Sequence, residues 1–240
     1  MSRVDDYYNN FYKELARIDE QGNNFSKIEK FLPELSPGAK ILDIGCGHGS
    51  VSHELVKRGF EVYGMEINRD AIESLKVKGF RVVECDITEP FNLNEKFDLV
   101  LLLDVLEHVF DPLSLLGEAA KVLKDGGEII VSVPLYFDLI DRLRILFTGS
   151  IISYDNLCYG REIYGRFRSY NYDHIRFFRP KDIFEMSETF GLSVKEALYF
   201  PFWEVGGFTR ILRKILVNRY TMKRMPNLLA HSMVVRLRYA

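Results

Sequence analysis

The sequence predicts a doubly wound α/β fold, a mostly parallel sheet with helices on both faces. Three observations predict it. From residue 40 to residue 133, short apolar runs alternate with helix-like stretches. The runs are nearly all apolar rather than alternating with polar residues, as a sheet covered on both faces requires. A glycine-rich turn, Gly45-Cys46-Gly47-His48-Gly49, directly follows the first run, at the strand end where such sheets bind ligands.

Each element has its own signal. Residues 4–35 read as two helices, with Tyr7, Tyr8, Phe11, Tyr12 and Leu15 at helical spacing. Ser36-Pro37-Gly38 is a turn. Lys40–Ile44 is a buried strand, and Val51–Arg58 a helix closed by Gly59. Glu61–Met65 is a strand, and Asp70–Lys78 a helix closed by Gly79. Arg81–Glu84 and Phe97–Leu103 are further strands. Pro112–Leu123 is a helix opened by Asp111 and Pro112, a cap and first-turn pair. Asp125-Gly126-Gly127 reads as a turn before a fifth strand, Glu128–Val133. Leu135–Phe147 looks helical, and residues 148–179 are irregular and rich in Tyr and Arg. Pro180–Phe190 is a helix, and Ser193–Phe200 and Ser232–Tyr239 are strands. Between those strands, Phe208, Ile211, Leu212, Ile215 and Leu216 share one helical face.

Composition narrows the function. The chain has 240 residues, 47% hydrophobic and 28% charged, with net charge −2. That apolar content and low net charge exclude disorder as the dominant state. The small net charge conceals an asymmetry. Residues 1–140 carry 15 basic and 25 acidic side chains, whereas residues 141–240 carry 17 basic and 9 acidic. No acidic side chain follows Glu204. A basic C-terminal part suits an anionic partner, or else is a solvated face. Three cysteines, with no CxxC pair, exclude a disulfide framework. No apolar leader follows the N-terminal Met-Ser-Arg-Val-Asp-Asp, and the apolar run Leu99–Leu103 is far too short to span a membrane. A cytoplasmic setting is the expectation.

The chemistry is carried by residues at the ends of the strands. Glycines in the first turn let the backbone bend sharply and approach a ligand, with a helix N-terminus following. A dinucleotide loop of GxGxxG type would need glycine at position 50, where Ser50 stands, and Asp43 two residues before the first glycine disfavours a pyrophosphate. A cationic ligand is favoured instead. Glu66 ends the second strand, placed for both hydroxyls of a ribose. Asp86 follows the third strand, where an acceptor could meet an exocyclic amine. Leu103 and Asp104 follow the fourth.

These residues resemble the motifs of the class I S-adenosylmethionine (SAM)-dependent methyltransferases. ILDIGCGHGSVSHEL resembles their first motif, VYGMEIN the second, ECDI the third and FDLVLLLDVLEHVFDP the fourth, with VLKDGGEIIVSVP as the strand that follows. The resemblance covers roughly residues 38–200. It implies a Rossmann-like seven-stranded sheet with an antiparallel last strand, supplied by residues 232–239. It implies SAM as cofactor, with Asp43, Gly45, Cys46 and Gly47 near its methionine part. Glu66 would hold the ribose, Asp86 with Ile87 the adenine, Ile67 would be a further cofactor-binding residue, and the Leu103 backbone would also touch the cofactor. DVLEHV resembles the ubiquinone-biosynthesis and small-molecule methyltransferases. The stretches PLYFDLIDRLRILFTG and DHIRFFRPKDIFEMSETFGL resemble MetW-like proteins and relatives acting on sugars or lipid-linked intermediates.

The expected organisation is a single domain. Residues 1–35 form a helical cap, 36–134 a cofactor-binding core, 135–180 an acceptor-site lid, and 181–240 the closing helices and strands. His108, His174 and Asp104 are the candidates for acceptor chemistry. An imidazole titrates near neutrality and can take a proton, although each histidine could equally anchor its loop. Cys46 is a catalytic thiol or a small residue filling the turn. His48, His53 and His231 show no metal-ligand spacing, so no metal is expected. The acceptor is expected to be a small molecule, a sugar or lipid-linked hydroxyl, and not nucleic acid. Residues 208–224 would offer peripheral membrane contact or a homodimer surface. A SAM-binding accessory protein of a partner enzyme is the alternative reading.

Overall fold

The computed structural model describes residues 25–136, 138–148, 174–201 and 218–240. Expectations for the N-terminal helices up to residue 24, for the Tyr- and Arg-rich stretch through Asp173, for Cys158 and for the helix over 208–217 lie outside these residues.

Seven strands form one sheet. They are β1 (Lys40–Ile44), β2 (Glu61–Glu66), β3 (Arg81–Glu84), β4 (Phe97–Leu103), β5 (Leu123–Pro134), β6 (Leu192–Phe200) and β7 (Ser232–Tyr239), in spatial order β3-β2-β1-β4-β5-β7-β6. β1 pairs in parallel with β2 and β4, and β2 with β3. β7 runs against its neighbours. The start of β7 bonds the end of β6, His231 N–H to the Phe200 carbonyl, while Ala240 N–H after its end bonds the Gly191 carbonyl before β6 begins. The mixed seven-stranded arrangement is the one the motifs implied.

Helices fill the connections. They are α1 (Phe25–Ile28, continued by a 3₁₀ turn through Phe31), α2 (Ser50–Lys57), α3 (Arg69–Val77), α4 (Pro112–Lys121), α5 (Leu139–Thr148), α6 (Pro180–Thr189), α7 (Arg219–Arg224) and α8 (Pro226–Leu229). Their starts follow local chemistry. Asn68 accepts the Ala71 N–H at the head of α3. Asp111 accepts both the N–H and the hydroxyl of Ser114, and Pro112 opens α4.

The described residues group into two compact units. The first holds residues up to Leu103, Gly117–Ile130 and Tyr239; the second holds Asp104–Leu116, Val131–Arg238 and Ala240. In the first, Ile41, Leu42 and Ile44 of β1 and Leu99, Leu101 and Leu102 of β4 are fully buried. Each such side chain contributes about 1.5–3 kcal/mol through its removal from water. In the second, Val133, Ile183, Met233, Val235 and Leu237 are buried.

Two elements differ from expectation. β5 begins at Leu123, and Asp125-Gly126-Gly127 lies inside it rather than before it. Gly126 has φ of 77°, so the chain kinks without leaving the extended run. A Cβ on Gly127 would stand 3.0 Å from the carbonyl oxygens of Lys124 and Phe97. Backbone oxygens cannot swing aside, so Gly127→Ala is expected to destabilise the protein by about 1–3 kcal/mol, read as a lowered midpoint in urea. The helix expected from Leu135 begins only at Leu139. Leu135 forms a parallel bridge with Phe178, and its N–H bonds the His231 carbonyl, so sheet pairing claims the start of that segment.

Candidate functional site

The glycine turn after β1 is fixed to the end of β2. The N–H groups of Gly45 and Cys46 both donate to the Met65 carbonyl, at 2.9 and 3.1 Å. Gly47 N–H donates to Glu66 Oε2 at 2.9 Å, and Glu66 Oε1 accepts from Ile67 and Asn68 N–H at 2.8 Å each. One carboxylate therefore ties three amides together at the strand end. Gly45, Gly47 and Gly49 have φ of 67°, 52° and 78°, a region that residues with a Cβ seldom occupy. Ile67, beside Glu66, is 50% exposed, an apolar face that an aromatic ring could cover.

Asp43 acts inside the turn rather than on its surface. Its carboxylate is buried and accepts the Ser52 hydroxyl at 2.6 Å, which links β1 to the first turn of α2. Asp86 is exposed and accepts the N–H and hydroxyl of Thr88 at 2.9 and 2.6 Å, which shapes the turn after β3. Ile87 is half-buried beside it, and Leu103 is half-buried at the end of β4.

Cys46 packs against Gly64 of β2. A Cβ on Gly64 would lie 2.7 Å from Cys46 Sγ. Burial pushes the thiol's pKa far up, with the Asp43 and Glu66 charges adding to it. A thiol held in that form is neither nucleophile nor metal ligand at neutral pH, so Cys46 fills the turn. Gly64→Ala is expected to lower the unfolding midpoint and loosen the turn. Cys46→Ala, which removes the sulfur, should restore most of the loss in the double variant; additive losses in a denaturant series would contradict the packing account.

The second unit carries the acceptor-side candidates. Asp104 is the one non-glycine residue with positive φ, 53°, among the described residues. Its N–H donates to the Ser132 carbonyl at 3.1 Å and to Ser132 Oγ at 3.0 Å, and its Oδ1 accepts the Ser132 hydroxyl at 2.8 Å. Glu107, in the 3₁₀ turn Leu106–His108, is fully buried. Its carbonyl accepts N–H from Ile175 and Arg176, drawing that segment onto the turn. His108 Nε2 and His174 Nε2 each lie 3.9 Å from Glu107 Oε1, and the two rings stand 4.8 Å apart. The Tyr136 hydroxyl bonds His174 Nδ1. Burial, and then the His108 imidazole, push His174 down to about 3.

His174 is thus neutral across the physiological range. That suits an imidazole that accepts a hydrogen bond or ligates a cation better than a strong base. The depressed value also has a sign for stability. Unfolded chains take up a proton on this histidine below about pH 6.5, which the folded protein resists until about pH 3, so stability falls as pH drops through that window. At pH 4.5 the expected cost is about 2–3 kcal/mol, and His174→Gln should flatten this part of the pH–stability curve, measured by urea unfolding with EDTA present.

Among the described residues, two trios of ligand atoms lie within 4.8 Å of one another: Glu107–His108–His174 and Asp138–Asp141–His231. Sequence spacing showed neither, because in each trio the completing histidine, His174 or His231, lies far along the chain from the other two members. In the second trio, His231 Nδ1 is 3.2 Å from Asp138 Oδ2 and 3.8 Å from Asp141 Oδ2. Asp138 Oδ1 also accepts the Asp141 N–H, as a helix cap does. The first trio uses Glu107, which sequence reading passed over; its only signal was an acid flanked by apolar residues beside a histidine.

Comparison with known proteins adds a family. Residues 16–197 match the model of a methyltransferase domain. The ubiquinone biosynthesis O-methyltransferase of Bradyrhizobium sp. (strain ORS 278) is 36% identical over 119 residues, 48% of this chain and 47% of that protein. The matched stretch thus spans about half of that relative's length. The protein of the same description from Stutzerimonas stutzeri is 29% identical over 168 residues, 67% of each chain. Among solved structures, a SAM-dependent methyltransferase from Archaeoglobus fulgidus aligns with a TM-score of 0.61 at 18% identity, covering 94% of this chain and 99% of that one. Magnesium protoporphyrin IX methyltransferase from Synechocystis, solved with bound SAH, aligns with a TM-score of 0.58 at 18% identity, over 93% of this chain and 85% of that one.

Proposed function

Because the chain belongs to the methyltransferase-domain family, we propose that it is a class I enzyme with S-adenosylmethionine as its methyl donor and that it methylates a hydroxyl of a small molecule, such as a sugar or a lipid-linked metabolite. The observation that carries this reading is the buried Glu107 carboxylate with two imidazole nitrogens at 3.9 Å. A hydroxyl must lose its proton as it is methylated, and a carboxylate with two imidazoles can receive that proton or hold the oxygen while it leaves. The relatives named O-methyltransferases favour oxygen over nitrogen.

Residue roles follow from this proposal. Glu66 takes the ribose hydroxyls, Ile67 and Ile87 flank the adenine, and Asp86 meets its exocyclic amine. The amides and glycines of the turn at 45–47 accept the methionine part, with Leu103 at the end of β4. Asp43 and Cys46 shape that turn from beneath. Asp104 orients the acceptor, and the Glu107 cluster takes its proton. Glu107, His108 and His174 would also suit a divalent cation, a carboxylate and two imidazoles being fitting donors, and such an ion would polarise the acceptor oxygen.

In-line displacement at a sulfonium needs alignment more than activation. Holding donor and acceptor at contact distance lowers the barrier by as much as about 7–11 kcal/mol. The basic C-terminal part favours an anionic or membrane-borne acceptor. On α7, Tyr220, Lys223 and Arg224 are exposed, with the Arg224 guanidinium 5.3 Å from the Tyr220 ring. No described helix is long and apolar enough to cross a membrane.

The test is label transfer from methyl-labelled SAM to a panel comprising 3,4-dihydroxybenzoate, a nucleotide sugar and a primary amine, each with Mg²⁺ and with EDTA. Label on oxygen supports the reading. Label on the amine alone, or tight SAM binding with no turnover on any acceptor, replaces it with an N-methyltransferase or with a SAM-binding accessory protein.

A further inference from the structure

Ser132 and Tyr136 stand four residues apart along one extended run, β5 and the residues just after it. An even spacing puts both side chains on one face. Both are buried, and each hydroxyl meets a different acceptor-side candidate. We propose that Ser132 and Tyr136 are a pair of positioning residues, through which one face of the fifth strand sets the orientation of Asp104 and of His174. This inference rests on the acceptor-side roles proposed above.

At Asp104 the argument begins with backbone strain. A non-glycine residue at φ of 53° persists only where its surroundings hold it. Aspartate tolerates this region better than most residues, and Ser132 adds to the hold. The serine's carbonyl and hydroxyl oxygens share the Asp104 N–H, and the hydroxyl proton goes to Asp104 Oδ1. The main chain and the hydroxyl of Ser132 thus hold the Asp104 backbone together, the hydroxyl alone of the two also reaches the carboxylate, and the carboxylate cannot rotate without breaking the bond to Ser132. A serine hydroxyl both donates and accepts, which alanine in its place cannot do.

At His174 the device is a side-chain bond plus packing. The Tyr136 hydroxyl bonds Nδ1, which leaves Nε2 directed toward Glu107. The ring itself is held edge-on, its centroid 5.5 Å from that of Tyr136 at 67°. Phe177 packs on Tyr136 in turn, at 5.0 Å and 81°. A partner on one imidazole nitrogen selects the tautomer and therefore what the other nitrogen can do. Neither hydroxyl contacts the acceptor in this account; each acts through the residue it holds.

The experiment uses the full chain bound to SAH, with ¹⁵N-labelled histidine and backbone. In Tyr136→Phe, the His174 ring nitrogens should shift from a single-tautomer pattern toward an averaged one. In Ser132→Ala, the Asp104 amide should exchange with solvent at least ten-fold faster, while Ser132→Thr keeps the protection. Turnover with 3,4-dihydroxybenzoate should fall ten- to 100-fold in kcat for both Ser132→Ala and Tyr136→Phe, with the SAH dissociation constant and acceptor KM within about three-fold. Unchanged His174 nitrogens, unchanged Asp104 exchange, or normal kcat in these variants would overturn the positioning role. If the wild-type chain methylates no hydroxyl, the O-methylation reading fails while the two NMR results still decide whether the hydroxyls orient their partners.

Discussion

Glu66→Ala is expected to weaken SAH binding by at least about 100-fold, measured by titration calorimetry. Two effects combine. The carboxylate accepts the amides of Gly47, Ile67 and Asn68 and so keeps the glycine turn against the end of β2. In the proposed complex it also accepts the ribose hydroxyls. Hydrogen bonds to a charged group contribute about 1.5–3 kcal/mol each, and losing two of them corresponds to a factor of about 100 or more. Glu66→Gln keeps the size and one acceptor oxygen, so its loss should be smaller, about ten-fold. A dissociation constant within three-fold of wild type in Glu66→Ala would remove this residue from the cofactor site.

Glu107→Gln should reduce the rate of label transfer to a hydroxyl by about 100- to 1,000-fold and leave SAH binding nearly unchanged. General acid–base assistance typically accounts for about 10²–10⁴ in rate. The substitution keeps shape and polarity but removes the proton-accepting carboxyl near both Nε2 atoms. Because Glu107 is fully buried and its carbonyl holds Ile175 and Arg176, unfolding curves must accompany the kinetics. A near-normal rate in a folded Glu107→Gln would assign proton removal elsewhere and reduce the cluster to a packing feature.

The sheet and the glycine turn were legible because their signals are local. Apolar runs of strand length, caps such as Asn68 and Asp111, and three closely spaced glycines each report a backbone state within a few residues. Asp43 stood out in the sequence, but its contact did not, since only the fold places Ser52 over its carboxylate. Asp125-Gly126-Gly127 misled because glycines that break a chain and glycines that kink a strand look alike until the neighbouring carbonyls are in place. The Glu107 cluster was not legible. Its members come from the turn after β4 and from a segment more than sixty residues on, and a buried carboxylate looks in sequence like any glutamate. Ser132 and Tyr136 escaped for the same reason.

The narrow fit between Gly64 and Cys46 also bears on self-protection. With the methyl donor seated on the glycine turn, as proposed above, a reactive sulfur in that turn would expose the protein to alkylating itself. Only the thiolate attacks carbon at a useful rate, and burial beneath the turn, beside two carboxylates, keeps Cys46 protonated. The missing side chain at Gly64 gives the sulfur room to pack against β2, an arrangement that would spare a methyl group bound at the turn for its intended acceptor.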